Sequence, residues 1–226
     1  MLIPIYRLVA PIVDPAWRDR PKPKPPVPDP WNGPTPEAVH RDTPIRVITE
    51  PEFEAVAATA PKYYKGRRRY ISAAATAADD LIGRHGLRSA LELGPHLRPL
   101  IVGADVMDRN QPEDLIDAGK VVVHNAQDAP WPFADGAYDL FVALQVFEHI
   151  VGGQEVAFRE VRRVARHAVI SLPIDWVMKD PTNCHHMISN ERALSWFAPV
   201  EPTRVLVGNE GPGKRLIYVF EDLTPA

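Results

Sequence analysis

The sequence predicts an α/β protein, a Rossmann-like and mostly parallel seven-stranded sheet with helices on both faces. Short apolar segments recur along the chain after residue 88, which is typical of strands buried on both faces. Segments with apolar residues at helical spacing alternate with them, as in parallel sheets. Of the 226 residues, 45% are hydrophobic and 24% are charged, the composition of an ordinary globular domain.

The strand pattern begins at SALELG and ends in a terminal pair, TRVLVG and RLIYVF. In chain order the predicted strands are 89–94, 100–107, 121–126, 138–145, 167–174, 203–208 and 215–220. A helix precedes the first strand, with Ile71 and Ala78 on its apolar face and Gly83 or Gly86 as its end. Further helices are predicted over 154–166 and, after an N-cap at Ser189, over 190–197.

The connection between the first two predicted strands is too short for a helix. Only the six residues Gly94 to Pro99 separate them, whereas parallel strands normally need a crossover of about a dozen residues. At roughly 3.3 Å per residue, six residues reach about 20 Å, enough to return beside a short strand. We therefore expect the first crossover helix to be shortened or absent.

Residues 1–60 form a proline-rich N-terminal arm, and residues 61–226 form the α/β domain. The chain has 25 prolines, and the run PKPKPPVPDP at 21–30 excludes regular helix and sheet. Two interpretations stay open. The arm is either a linker or poorly ordered terminus, or it packs on its own domain or on a second subunit as part of a homodimer.

Composition excludes several classes of protein. The single cysteine, Cys184, forms no intrachain disulfide and fits a reducing compartment, which indicates the cytoplasm. No apolar run approaches the roughly 18 residues of a membrane helix, and prolines and an arginine interrupt the apolar start. The net charge of −3 divides into +4 over residues 1–88 and −7 over the rest of the chain, so we expect no nucleic acid as partner of the acidic main part. Without a membrane helix we expect no membrane either.

Polar residues stand at the ends of the predicted strands. Ligands of open α/β sheets bind at the carboxyl ends of strands, so these residues are candidates for one site. Gly94 would let a ligand approach the backbone closely. The candidates are Glu92, Gly94, Asp105, Asp108, Asn125, Gln127, Gln145, Glu148 and His149.

The segment APWPFADGAYDLFVALQVFEHI at 129–150 resembles class I S-adenosylmethionine-dependent methyltransferases, from their adenine loop through the fourth strand to a Glu-His pair. The resemblance covers roughly residues 63–220. It implies that Glu92 lies near the methionine amine and that Asp105, with Asp108 as the alternative, accepts hydrogen bonds from the ribose. The S-adenosyl-L-methionine site it implies comprises Tyr64, Arg67, Glu92, Gly94, Pro95, Asp105, Asn125, Ala126, Gln127, Leu144 and Gln145.

The methionine carboxylate needs a cation if the first crossover helix is missing, because a helix N-terminus would normally stabilise an anion there. We expect at least one of four arginines to contact it, namely Arg67, Arg68, Arg69 or Arg98.

The resemblance implies methyl transfer to a small acceptor. A hydroxyl acceptor must lose a proton, and histidine can take one at neutral pH. His149 is therefore the first choice for the general base, with Glu148 beside it, while His185 and His186 would cover the substrate. This polar cover favours a hydroxylated acceptor such as a sugar or glycoside. Alternatively, these residues and Cys184 hold a divalent metal, if their loop folds over the fourth strand.

Two other classes of protein share this kind of sheet or fold. A nicotinamide-dependent enzyme would have the motif GxGxxG after its first strand, but this chain has ELGPHL there. It would also have a Tyr-x-x-x-Lys pair, but four residues after Tyr63 this chain has Arg67. A non-catalytic binding module is the second alternative. An N-methyltransferase on the same fold stays open as well.

Overall fold

The computed structural model describes residues 45–111, 115–210 and 213–224. Its strands are β1 (Arg46–Val47), β2 (Ala90–Leu93), β3 (Ile101–Val102), β4 (Asp105–Asp108), β5 (Val121–Val123), β6 (Tyr138–Leu144), β7 (Ala165–Pro173), β8 (Arg204–Asn209) and β9 (Arg215–Phe220). Its helices are α1 (Glu50–Thr59), α2 (Pro61–Tyr64), α3 (Arg68–His85), α4 (Gln154–Val164) and α5 (Asn190–Phe197). Among the described helices, none is long and apolar enough to cross a membrane.

Seven strands form one sheet in the order β5-β4-β2-β6-β7-β9-β8. The first five strands in this order are parallel, whereas β9 is antiparallel to both β7 and β8. The predicted fold class is confirmed. Leu93 of β2 is level with Met107 of β4 and Ala143 of β6, so the carboxyl ends of these strands meet at one edge.

Helices cover both faces of the sheet, as predicted. On one face, Ala78 and Leu81 of α3 share a core with Val142 and Val169. On the other, Phe158 of α4 and Phe197 of α5 pack over the sheet. The apolar spacing read from the sequence thus places each helix on the sheet by its apolar side.

The helix ends follow local sequence signals. α3 continues through Gly83 and ends at Gly86, which has a left-handed backbone with φ 62° and serves as the C-cap. The predicted N-cap of α5 is confirmed, because the Ser189 hydroxyl accepts a hydrogen bond from the Arg192 amide at 3.1 Å.

No α-helix lies in residues 94–104, between β2 and β4, as predicted from the short connection. The single strand predicted over 100–107 is wrong, however, since it consists of two strands. Gly103, with φ 80°, interrupts it, and the following Ala104 amide donates to Ile101 in a turn. As a result β3 pairs antiparallel with β1, outside the main sheet, and β4 begins at Asp105.

The predicted arm is only partly within the described residues. Residues 1–44 lie outside them. Residues 46–59, which the sequence analysis placed in the arm, form β1 and α1. Thr49 and Glu52 form a capping box at the start of α1, and Val56 of that helix is buried.

Candidate functional site

Two neighbouring recesses share Gly94 at the carboxyl edge of the sheet. The main crevice encloses about 290 Å³ between the ends of β2, β4, β5 and β6. Its polar lining is Asp108, Arg109, Asn110, His124, Asn125, Gln127 and His149. The inner recess lies beneath α2 and the start of α3, and its lining includes Tyr63, Tyr64, Glu92, Pro95, His96 and Leu144. Most of the predicted cofactor residues therefore meet at one edge.

Gly94 has the backbone that its position requires. Its φ is 60°, in the left-handed region, and its amide donates to the Met107 carbonyl at 2.9 Å. A Cβ atom at this position would lie 3.2 Å from Val146 and 3.9 Å from the Asp108 carboxylate. The lack of a side chain at Gly94 therefore keeps a cradle open between β2 and β4.

Asp105 and Asp108 lie at opposite ends of β4. The carboxylate of Asp105 is buried, accepting hydrogen bonds from the Lys120 amide at 2.8 Å and the Tyr138 hydroxyl at 3.1 Å. Asp105 is therefore not among the residues that line the two recesses. Because Gly103 delays the start of the strand, the acidic group that reaches the main crevice is Asp108, which was the alternative in the sequence analysis.

The segment after β5 forms the far wall of the main crevice. The Asn125 side chain accepts a hydrogen bond from the Gln127 amide at 3.3 Å, and the Gln127 side chain donates to the Val151 carbonyl at 3.0 Å. The buried Trp131 stabilises this wall, because its indole N–H donates to the Ala126 carbonyl at 3.2 Å. The wall offers amide groups and backbone, the kind of surface that pairs with a heterocyclic base.

Glu92 is the buried acid of the inner recess. Its Oε2 accepts hydrogen bonds from the amides of Leu100 at 2.7 Å and Ile101 at 3.3 Å. Burial nevertheless raises the pKa of the carboxyl to about 8, since desolvation outweighs these two donors. Glu92 can therefore gain charge in response to a bound cation.

Aromatic side chains cover the inner recess. The Tyr63 ring stacks on His96, with ring centroids 3.6 Å apart. The guanidinium of Arg67 lies 4.2 Å from the centre of the Tyr63 ring and 3.3 Å from the Tyr70 hydroxyl. Burial and the nearby charge of Arg67 lower the pKa of His96, and burial raises the pKa of Tyr64 to about 12.

The candidate arginines differ in their partners. Arg68 forms ion pairs with Glu50 and Glu54, and Arg98 forms ion pairs with Glu52 and Asp117. Among the described residues, no carboxylate is within ion-pair distance of Arg67, which is half-buried behind the inner recess. Of the four candidate arginines, Arg69 is exposed, so Arg67 is the half-buried one without an ion pair to a described carboxylate and the best candidate of the four to meet an anion from outside the protein.

Gln145 has an unusual backbone where β6 ends. Its φ of 60° is left-handed, and its amide donates to the backbone and side chain of Ser171 at 3.1 Å. Its side-chain oxygen accepts from Arg215 at 3.1 Å. The predicted site residue Gln145 thus holds the turn after β6, whereas its neighbour Leu144 lines the inner recess.

Glu148 and His149 lie in the short 3-10 turn that follows β6. The side chain of Glu148 is fully buried, and burial raises its pKa to about 8 against the lowering effect of Arg215 and Arg67. His149 is exposed at the main crevice, and burial of its ring together with the charge of Arg109 lowers its pKa. The lowered pKa favours the uncharged imidazole, the form that can accept a proton or bind a metal.

The loop between β7 and α5 folds over this turn. Cys184 lies 3.3 Å from His149, and His185 lies 3.6 Å from the buried Glu148 carboxylate. The ring of His186 faces elsewhere, because its Nδ1 accepts from the Met178 amide at 3.0 Å. Of the two predicted substrate residues, only His185 joins the cluster around His149.

Sequence reasoning missed several residues of this region. His124 and His96 line the two recesses, and Trp176 stacks near His185 with centroids 5.9 Å apart. Arg215 lies over Trp176 and also over Tyr70, at 4.6 and 4.7 Å from the ring centres. Arg215 belongs to the terminal strand pair, and no local signal connects that strand with the end of β6.

Residues 98–170 match the family model described as a methyltransferase domain. None of the curated proteins matches the chain. The matched region includes Asp108, the wall after β5 and the turn with His149, and leaves out Glu92 and Gly94.

Several solved methyltransferase structures are similar to the chain. The bifunctional kinase-methyltransferase WbdD has a TM-score of 0.47 and 16% identity over 69% of this chain, which covers only 39% of that protein. Magnesium protoporphyrin IX methyltransferase ChlM from Synechocystis PCC 6803, with bound SAM, has a TM-score of 0.47 and 12% identity, covering 68% of this chain and 79% of its own. The N-methyltransferase NodS from Bradyrhizobium japonicum WM9, in complex with S-adenosyl-L-homocysteine, has a TM-score of 0.47 and 13% identity. The match covers 67% of this chain and 86% of NodS.

The family match over residues 98–170 agrees with the resemblance to methyltransferases that the sequence indicates. The Gly94 cradle and the acid and amide side chains of the main crevice fit an adenosyl group with its ribose. Residues 98–170 therefore belong to the methyltransferase domain family.

Proposed function

We propose that this protein transfers a methyl group from S-adenosyl-L-methionine to a hydroxyl of a small polar acceptor, with a sugar or glycoside as the preferred class. The observation that carries the proposal is the convergence of Gly94, Asp108 and Gln127 on one crevice at the carboxyl edge of the sheet. When bound, the cofactor supplies a methyl group already activated on a sulfonium. The protein then contributes mainly binding and orientation.

Each part of the crevice suits one part of the cofactor. Asp108 would accept hydrogen bonds from the ribose hydroxyls, and the Asn125–Gln127 segment would meet the adenine. Glu92 and Arg67 at the inner recess would meet the ammonium and the carboxylate of the methionine part. Once ionised, Glu92 carries a charge opposite to that of the ammonium, and the guanidinium of Arg67 carries a charge opposite to that of the carboxylate.

We place the acceptor at the end of the main crevice where His149 is exposed. His149 and Glu148 are the residues we assign to catalysis there, with His185 as a substrate neighbour. The polar side chains of the covering loop, which include Asn183 and His185, favour an acceptor with hydroxyl groups. NodS is an N-methyltransferase, so an amine acceptor is the second candidate.

Calorimetric titration of the full chain with S-adenosyl-L-homocysteine and with NAD tests the cofactor. We expect saturable binding of the first and none of the second. Gly94→Ala is the matched variant, since an added Cβ enters the cradle 3.2 Å from Val146 at a left-handed φ. It should weaken binding by about tenfold or more.

Binding of NAD alone, or of neither compound, would contradict the proposal. Transfer of an isotopically labelled methyl group to panels of sugar hydroxyls and of amines then separates the two acceptor classes. Labelling of amines only would reject the hydroxyl acceptor while leaving the cofactor assignment in place.

A further inference from the structure

Three metal-binding side chains meet beside the main crevice. His149 Nδ1 lies 3.3 Å from Cys184 Sγ, which in turn lies 3.6 Å from His185 Nδ1. One ligand atom from each residue lies within 4.8 Å of the other two. His149 lies in the turn after β6, whereas Cys184 and His185 are consecutive in the loop between β7 and α5. The fold therefore brings His149 to the other two residues.

The two sulfur–nitrogen separations match those of ligands around one small ion. At a tetrahedral zinc ion, with Zn–S near 2.3 Å and Zn–N near 2.0–2.1 Å, a sulfur and a nitrogen ligand lie about 3.6 Å apart. Both measured sulfur–nitrogen distances are close to this value. Thiolate and imidazole ligands suit zinc, whereas magnesium and calcium prefer oxygen.

Glu148 provides an independent observation at the same place. Its side chain is fully buried, and neither carboxylate oxygen has a hydrogen-bond partner in the part of the chain that the structure describes. The Glu148 Oε1 atom lies 3.6 Å from His185 Nε2, the ring nitrogen opposite to the one near Cys184. Histidines that bind a metal usually donate their other N–H to a carboxylate, which fixes the ring.

We propose that His149, Cys184 and His185 bind a zinc ion and that Glu148 orients His185. Nδ1 of His185, which lies 2.8 Å from Asn183 Oδ1 without the metal, would give its lone pair to the ion, and the ring proton would then be on Nε2, toward Glu148. The Cys184 thiol would release its proton to the solvent as the Zn–S bond forms. His149 would then contribute to catalysis as a ligand of the metal, in place of the general-base role that the sequence suggested. Three protein ligands leave a fourth position, as in catalytic zinc sites.

The fourth position would lie next to the main crevice, because His149 both binds the proposed ion and lines this crevice. A metal there would polarise an acceptor hydroxyl and ease the loss of its proton. This consequence rests on the proposed function, whereas metal binding itself does not.

The test uses the full chain, freed of metal by a chelator, without cofactor or acceptor. Titration with Co²⁺ is expected to give one equivalent of tetrahedral cobalt with a near-ultraviolet thiolate charge-transfer band, which Zn²⁺ displaces. Cys184→Ser should lose this band and bind Zn²⁺ about 100-fold more weakly, and Glu148→Gln about tenfold more weakly. His124→Ala is the control, because that ring contacts the Asp128 carbonyl and lies outside the cluster.

A wild-type cobalt spectrum without the charge-transfer band would overturn the proposal, as would Zn²⁺ binding by Cys184→Ser with wild-type affinity. Thermal melting of each variant shows whether it is folded, and the wild-type spectrum decides the matter without any variant. A failed S-adenosyl-L-homocysteine titration beside an intact cobalt spectrum would reject the proposed function alone.

Discussion

The charge of Glu92 depends on what binds beside it in the inner recess. Burial raises the pKa of its carboxyl to about 8, so the group is mostly protonated at pH 7 in the free protein. An ammonium group in the inner recess would favour the ionised form. Cofactor binding and loss of the Glu92 proton are therefore expected to be coupled.

The affinity for S-adenosyl-L-homocysteine should rise between about pH 6.5 and pH 8, because the free protein must give up a proton at low pH and no longer does so above the pKa. Calorimetry in buffers of different ionisation enthalpy measures the released proton directly. Glu92→Gln should bind about tenfold more weakly and without this pH dependence. Equal pH dependence in the variant and the wild type would exclude Glu92 as the source.

Arg67 is the second residue with a specific expectation. Its guanidinium packs on Tyr63 and has no carboxylate within ion-pair distance among the described residues, whereas Arg69 is exposed at the surface of α3. Arg67→Ala should weaken S-adenosyl-L-homocysteine binding by about tenfold and leave adenosine binding unchanged, because adenosine lacks the carboxylate. Arg69→Ala is the control. An equal loss for both ligands would assign Arg67 to the structure of the recess.

Contact with β8 determines how α3, whose first turn covers the inner recess, packs on the sheet. A Cβ atom at Gly208 of β8 would lie 2.5 Å from the Cβ and 2.8 Å from the Cα of Tyr70, so even a methyl group forces the helix away. Gly83 of α3 offers the opposite case, with open space around its position. The two glycines allow the same change to be compared in a tight and an open environment.

Gly208→Ala is expected to lower the free energy of unfolding by about 1–3 kcal/mol through overpacking. Gly83→Ala should raise it by about 0.5–1 kcal/mol, since alanine favours the helix. Urea denaturation followed by circular dichroism measures both. A neutral Gly208→Ala would mean that α3 does not press on β8 at Tyr70.

At the scale of the whole molecule, the sheet and its helices could be predicted because their signals are local. The apolar runs of β2 and β6 and the spacing in α4 need no knowledge of distant residues. The break at Gly103 could not be predicted, because it depends on β3 pairing with β1 from outside the main sheet. For the same reason Asp105 was placed at the wrong end of its strand.

The candidate site was predictable only in part. Gly94 and Gln127 follow strands whose order is set by the fold, so their meeting was expected. The positions of Cys184 and His185 depend on a long loop, which Trp176 anchors by donating to the Lys214 carbonyl at 2.8 Å. Such contacts between distant segments leave no pattern in the sequence.

In the proposed site, the adenosyl group lies at the carboxyl edge of the sheet, beside Asp108 and away from Asp105. Calorimetric affinity for S-adenosyl-L-homocysteine, measured on folded Asp108→Asn and Asp105→Asn, tests this most directly. We expect Asp108→Asn to bind at least about tenfold more weakly and Asp105→Asn to bind as the wild type does. The reverse order, with affinity lost in Asp105→Asn and kept in Asp108→Asn, would contradict the account.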